Sequence, residues 1–165
     1  MNLEFCKTLV SQATPEMLVH ATKVINEANA VFVRIFEGDR LESDTIATEY
    51  PEYLLVLGLV GDVPVATMAC IETEHGYKVE LLAVSPDVQG KKVGEQMLAK
   101  ADSLASDTGH TKVWLEALDQ GNLVGYYLKQ GFTEDFRELK PQGYWESTEP
   151  FYLVTLSRPI KVTSY

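Results

Sequence analysis

The stretch Gln89-Gly90-Lys91-Lys92-Val93-Gly94 has the residue types and spacing of an anion-binding loop. An apolar segment, Val79-Glu80-Leu81-Leu82-Ala83-Val84, runs before it, and a helical apolar period runs after it from Val93 to about Thr108. In the order strand, glycine-containing loop, helix, the free backbone N–H groups and the positive end of the helix point at one spot. A phosphate is the natural occupant of such a spot. Lys91 and Lys92 stand at the helix start, where a cation opposes the macrodipole by roughly 0.3–1 kcal/mol. A bound anion reverses the sign of that penalty. Taken alone, the stretch also fits an ordinary strand-to-helix turn with two solvated lysines.

The elements around this loop follow from periodicity and turn chemistry. Leu3 to Leu9 reads as a strand. Thr14-Pro15-Glu16 is a helix start, and Leu18, Ala21, Ile25 and Ala28 continue at helical spacing to an end near Asn29. The stretch 31–50 holds an acidic run, Glu37, Asp39, Glu42, Asp44 and Glu49, and is expected to contain a second short helix. Such a run is either a solvated surface or a rim that attracts an amine. Leu54–Val60 and Val65–Glu72 read as a hairpin. Tyr77–Val84 is the next strand, with Lys78, Glu80, Leu82 and Val84 on one face by alternation. Val93, Met97, Leu98, Ala101, Leu104 and Ala105 form one helical stripe, closed by Gly109. A strand over Thr111–Leu118, a short helix over Leu123–Gln130 and strands from Phe132 and Phe151 complete the chain. The order β-α-α-β-β-β-α-β-α-β-β predicts an α/β (α+β) fold. Its mixed central β-sheet combines a parallel step through 77–118 with antiparallel hairpins, and helices cover both faces.

Length and composition narrow the function classes. The 165 residues fit one domain over 1–165, with 45% hydrophobic and 23% charged residues. A net charge of −10 disfavours nucleic-acid binding, which phosphate neutralisation dominates. No apolar run approaches the ~18 residues of a membrane span. The N-terminus lacks the basic start and apolar core of a signal peptide, so a cytoplasmic setting is expected. Cys6 and Cys70 fit no metal or redox spacing and are expected to be buried free thiols.

Three pieces of the chain together resemble the GNAT acetyltransferase superfamily. Glu80-Leu81-Leu82-Ala83-Val84-Ser85-Pro86 is similar to that family's strand leading into its cofactor loop. Gln89 to Gly94 is similar to its Arg/Gln-x-x-Gly-x-Gly/Ala loop. Tyr127-Leu128-Lys129-Gln130-Gly131-Phe132 is similar to its Tyr-x-x-x-Gly-Phe ending. Lys92 replaces the family's middle glycine, which a helical φ would accommodate. An Asn contact with the cofactor carries over to Asn122, with Gln120 as the rival at the closer spacing.

The resemblance implies acetyl transfer from acetyl-CoA to an amine, with no metal. It implies that the amides of Gln89, Gly90, Lys91, Lys92, Val93 and Gly94 bind the CoA pyrophosphate. It also implies that a splayed strand at Leu82, Ala83 and Val84 holds the pantetheine, and that Tyr127 sits near the CoA sulfur. Similar proteins are commonly homodimers, although no interface is legible here.

Chemistry then assigns roles. An alkyl amine with a pKa near ~10 must lose a proton before it attacks a thioester. Glu80, on the strand that carries the thioester, is the candidate base or holder of a water wire, with Glu116 as runner-up. An exposed strand residue paired with Lys78 is the plainer account of Glu80. Backbone N–H near Ala83 and Val84 suits the developing oxyanion. Tyr127 is the candidate acid for the leaving thiolate, and no nucleophilic cysteine is required. Tyr144-Trp145 is placed at the border of the acceptor pocket, which residues 30–50 and 133–150 should build. The leading reading is an N-acetyltransferase acting on a small-molecule or peptide amine. The alternative is a non-catalytic CoA-binding module of the same fold. A dinucleotide-binding fold is disfavoured, because the glycine spacing differs and the loop comes late in the chain.

Overall fold

The computed structural model describes residues 1–32, 35–36 and 38–161. Val33, Arg34 and Glu37, the last a member of the acidic run, lie outside the described residues. The chain runs β1 (Glu4–Leu9), α1 (Pro15–Phe32), α2 (Thr45–Glu49), β2 (Leu54–Val60), β3 (Val63–Thr73) and β4 (Gly76–Val84). It continues with α3 (Val93–Asp107), β5 (Lys112–Leu118), α4 (Leu123–Lys129), β6 (Thr133–Lys140) and β7 (Phe151–Pro159). The seven strands form one sheet in the order β1-β2-β3-β4-β5-β7-β6. Only β4 and β5 pair in parallel; the other neighbours are antiparallel. The expected mixed sheet with a helical crossover is therefore present, and α3 is the crossover.

Each face of the sheet has its own apolar cluster. On one face the stripe Val93, Met97, Leu98, Ala101, Leu104 and Ala105 of α3 packs on Val56, Met68, Cys70, Val79, Val113 and Leu115. Each fully buried aliphatic side chain of this kind contributes about 1.5–3 kcal/mol. On the other face Ala21, Val24, Ile25 and Ala28 of α1 cover Leu55, Leu57 and Ala83, with Ile46 of α2. α1 extends to Phe32, about one turn past the expected end at Asn29. Asn29 does not stop the helix, because its side-chain amide donates to the Ile25 carbonyl within the helix. Cys70 is buried, but Cys6 is exposed, contrary to expectation, because β1 is an edge strand with one uncovered face.

β4 departs from simple alternation in a way that shapes the site. Its register against β3 shifts between Ala69↔Glu80 and Thr67↔Ala83, so Leu81 and Leu82 together oppose Met68. Leu81 sits at φ +54, the left-handed region. This is a β-bulge, and it re-aims every side chain beyond it. Lys78 and Glu80 share the α1 face with Ala83, whereas Leu82 and Val84 pack on the α3 cluster. The expectation that Lys78, Glu80, Leu82 and Val84 share one face is corrected accordingly.

The bulge also frees β4 from β5. The two strands pair only through Tyr77↔Val113, Lys78↔Trp114 and Val79↔Leu115. Beyond Val79 they part, and a gap opens between Glu80–Val84 and Glu116–Leu118. Behind the gap, α4 is anchored from below. Arg158 of β7 donates to the Gln130 carbonyl at the end of α4 and to Asp102 of α3 at 2.8 Å. Both charged groups of that pair are buried, so removing either partner strands the other, at a cost of about 3–5 kcal/mol.

Candidate active site

The loop between β4 and α3 keeps its backbone donors free. A short 3-10 turn, Pro86–Val88, is closed by Ser85, whose side chain accepts from the Asp87 N–H at 3.4 Å. The Gln89 side-chain amide then donates back to the Val84 carbonyl at 3.0 Å, tying loop to strand. Gly90 follows at φ +76 and Lys92 at φ +61, and α3 begins without a side-chain cap. None of the N–H groups from Gly90 to Glu95 donates to an acceptor among the described residues. Unpaired N–H groups at a helix N-terminus, together with the positive end of the helix dipole, suit an anion.

Two local details correct the sequence reading. Lys92 was expected at a helical φ and instead adopts the left-handed conformation that favours glycine. Holding lysine there costs roughly 1–2 kcal/mol. Gly94 has a packing duty, because a Cβ on it would overlap the Tyr126 hydroxyl. The missing side chain lets α4 approach the start of α3.

A cavity of about 560 Å³ opens over this loop. Its walls include Leu82, Ala83, Val84, Gln89, Gly90, Lys92, Val93, Gly94 and Asn122. Lys91 is exposed and stands outside the wall, and Gln120 is likewise outside it, whereas Asn122 lies on it. Asn122 itself takes φ +66 at the start of α4, and its side chain folds over Gly125.

A second cavity of about 710 Å³ lies on the α1/α2 side of the gap. Glu80 and Glu116 line it, and both are clamped by Lys78, whose Nζ lies 3.1 Å from an oxygen of each. Lys78 also stacks on the Trp114 ring, 4.7 Å from its centre. Burial alone would lower the Lys78 pKa, but the two carboxylates outweigh it and hold the group above its ordinary value. The second oxygen of Glu80, Oε2, is buried without a partner that meets hydrogen-bond geometry. Glu80 does pair with Lys78, but its side chain is half-buried rather than exposed.

Tyr50 and Tyr53 stand beside these carboxylates. Burial first, and then Glu80, push the Tyr50 hydroxyl up to about 12. Burial and Glu80 likewise push Tyr53 well above the usual phenol range. From the stretch 133–150, Trp145 and Glu146 reach the cavity wall, while β6 does not. Arg40 lies between the Phe36 and Trp145 rings, 5.2 and 5.1 Å from their centres.

Tyr127 joins the two cavities. It is only 8% exposed, yet it walls both, together with Asn29, Leu82 and Leu123. Its ring is held edge-on by Tyr126 and Phe132, at centroid distances of 5.3 and 5.6 Å. Its hydroxyl has no hydrogen-bond partner among the described residues, and burial holds its pKa well above the ordinary phenol value. A protonated phenol is thus presented at the junction. The clamp by Lys78, the two tyrosines 50 and 53, and the Arg40 stack were not foreseen as site features. Their residues come from four separate stretches of chain, and local spacing carries no signal for such an assembly.

The fold is similar to the ribosomal-protein-S18-alanine N-acetyltransferase from Escherichia coli, at 18% identity and TM-score 0.71, covering 98% of this chain and 97% of that chain. It is similar to a putative acetyltransferase from Salmonella typhimurium solved with its cofactor acetyl-CoA, at 15% identity and TM-score 0.68, covering 100% and 98%. It is also similar to a phosphinothricin acetyltransferase from Sinorhizobium meliloti in complex with acetyl-CoA, at 14% identity and TM-score 0.68, covering 97% and 89%. At these identities the likeness establishes the fold. A comparison with curated protein sequences gave no match. The family model described as the acetyltransferase (GNAT) domain matches residues 19–146, which takes in the loop, Tyr127 and every residue lining the two cavities except Leu153; the chain belongs to the GNAT acetyltransferase family.

Proposed function

We propose that the protein transfers the acetyl group of acetyl-CoA directly to a primary amine of a small molecule or peptide. The observation that carries this reading is the place of Tyr127, a buried phenol walling two cavities that also share Asn29, Leu82 and Leu123. A cavity with free backbone donors suits a diphosphate, and a cavity with carboxylates suits an amine. A donor and an acceptor bound in them would face each other across Leu82 and Tyr127.

The roles of the residues follow. Backbone N–H groups from Gly90 to Glu95 receive the pyrophosphate of acetyl-CoA. The strand edge at Leu82–Val84, unpaired with β5, holds the pantetheine arm, as a partner strand would. Asn122 closes the same cavity. Glu80, with Lys78 and Glu116 setting its position, takes a proton from the ammonium and passes it to water. The neutral nitrogen attacks the thioester carbon, and a backbone N–H of Leu82–Val84 that faces the gap stabilises the oxyanion. As the C–N bond forms and the C–S bond breaks, Tyr127 protonates the departing thiolate. The nitrogen's second proton returns the phenol to its starting state. The balance is one ammonium and one thioester giving one amide, one thiol and one proton. No metal is needed in this scheme, and among the described residues no group of three His, Cys, Asp or Glu side chains is disposed to hold one. No described helix is long and apolar enough to cross a membrane, which fits an enzyme that draws on dissolved acetyl-CoA.

The test is a panel of amines with acetyl-CoA, monitored by free-thiol release and by a product mass increased by one acetyl group. Thiol release that depends on the amine is the expected result. Tight binding of acetyl-CoA with no transfer to any amine would instead favour a CoA-binding module.

A further inference from the structure

The second cavity is more acidic than a single amine requires. Beyond Glu80 and Glu116, its wall carries Asp39, Glu42, Asp44, Glu49 and Glu146, with Arg40 as its one cation among the described residues. These rim acids come from the segment before α1's partner helix α2, from α2 itself and from the turn before β7. Asp44 stands at the start of α2, and its side chain makes no capping hydrogen bond there. Trp145 and Glu146 sit at φ +50 and +62 in consecutive left-handed conformations, which turns both residues onto the cavity wall. Carboxylates gathered around one concavity repel one another and focus a negative potential into it. Tyr50 lies beside these charges: burial first, and then Glu80, Glu49 and Glu116, raise the pKa of its hydroxyl, while Arg40 lowers it.

A second observation is independent of these charges. The Tyr127 hydroxyl belongs to a side chain more than nine-tenths buried, opens onto this cavity and has no partner among the described residues. A hydroxyl so placed is open to a ligand in the cavity. The cavity therefore has a reactive end, at Tyr127 and Glu80, and a charged rim apart from it. At the reactive end Lys78 neutralises one of two carboxylates, leaving a single net negative charge for the reacting ammonium. The rim acids are left for some other positive group.

Resting on the reading of this site as an amine acetyltransferase, we propose that the acceptor is an aliphatic amine bearing at least one further positive charge, which the rim carboxylates hold while the reacting nitrogen lies at Tyr127 and Glu80. Acetylation then erases one of the acceptor's charges and loosens the product. The volume of about 710 Å³ takes a small flexible diamine or triamine.

The experiment measures binding apart from transfer. Butylamine and 1,4-diaminobutane, matched in chain length, are titrated calorimetrically into the intact protein at low and at moderate salt. The diamine is expected to bind at least 10-fold more tightly, and the margin is expected to shrink as salt rises. The double variant Asp44→Asn/Glu49→Gln is expected to bring the diamine within 3-fold of the monoamine. In turnover the same variant should raise the diamine KM about 10-fold, well beyond its effect on the butylamine KM. Equal affinity for the two amines, or a diamine preference that survives the double variant, overturns the proposal. If the diamine binds preferentially and no thiol is released, transfer fails while the charge reading stands. If thiol is released equally from both amines at equal KM, transfer stands and the charge reading fails. Retained acetyl-CoA binding shows that the variant is folded.

Discussion

The cavity over the β4–α3 loop and the cavity over α2 share four residues and little else. The first is walled by backbone: free N–H groups of Gly90 to Glu95, an unpaired strand edge, and Lys92 and Glu95 as its charged residues. The second is walled by side-chain charge, with Glu80, Glu116 and the rim acids. The contrast suits their proposed ligands. A diphosphate has one fixed shape and can be met by donors fixed in a loop. An amine acceptor differs from one enzyme to the next, and its match is set by side chains that can change without disturbing the fold. Lys91 illustrates the first half of this difference, because it stands at the loop yet outside the wall.

The comparison can be broken most sharply at the junction. Tyr127→Phe is expected to lower kcat about 100-fold while the acetyl-CoA Kd moves less than 3-fold, read by turnover and calorimetry. Unchanged kcat would remove the phenol as the acid. The raised Tyr127 pKa has its own consequence. The acid form persists to higher pH than a free phenol's would, so kcat should show no alkaline fall below about pH 10. For the same reason the fold loses stability as pH climbs past about 10, because the unfolded phenol ionises first.

Glu80→Gln is the next largest, with an expected loss of about 30-fold in kcat and an altered acid limb of the pH–rate profile. A profile that still matches the parent would move the base to Glu116. On the cofactor side, Lys92→Gly relieves the left-handed strain and is expected to stabilise the fold by about 1 kcal/mol, read as a higher denaturation midpoint. The smallest expected effect is Lys91→Gln. If the pyrophosphate is met by backbone donors, acetyl-CoA affinity should change less than 3-fold. A loss above 10-fold would mean that this cavity, too, works through side-chain charge.

The same division explains what the sequence made legible. The loop could be read because strand, glycine and helix start are contiguous, and each leaves a local signature at Val84, Gly90 and Val93. α3 was legible for the same reason, since its stripe from Val93 to Ala105 is one uninterrupted period. The bulge at Leu81 was not, because alternation assumes that each strand residue flips the face, and one extra residue cancels that without any glycine or proline to mark it. Lys92 misled for a similar reason, because lysine gives no hint of a left-handed φ. The acceptor cavity draws on Arg40, Tyr50, Lys78, Glu116 and Trp145, which only the folded sheet brings together. The acids of 39–49 were noticed as a run, but nothing in their spacing could show that they surround a concavity.

The central claim is that the donors between Gly90 and Glu95 hold the diphosphate of acetyl-CoA. Backbone amide resonances recorded while acetyl-CoA is added test it residue by residue. The account predicts saturable shifts largest at Gly90 to Glu95, with smaller ones at Leu82–Val84 and Tyr127. Saturation with those loop amides unmoved, or no binding at all, would contradict it.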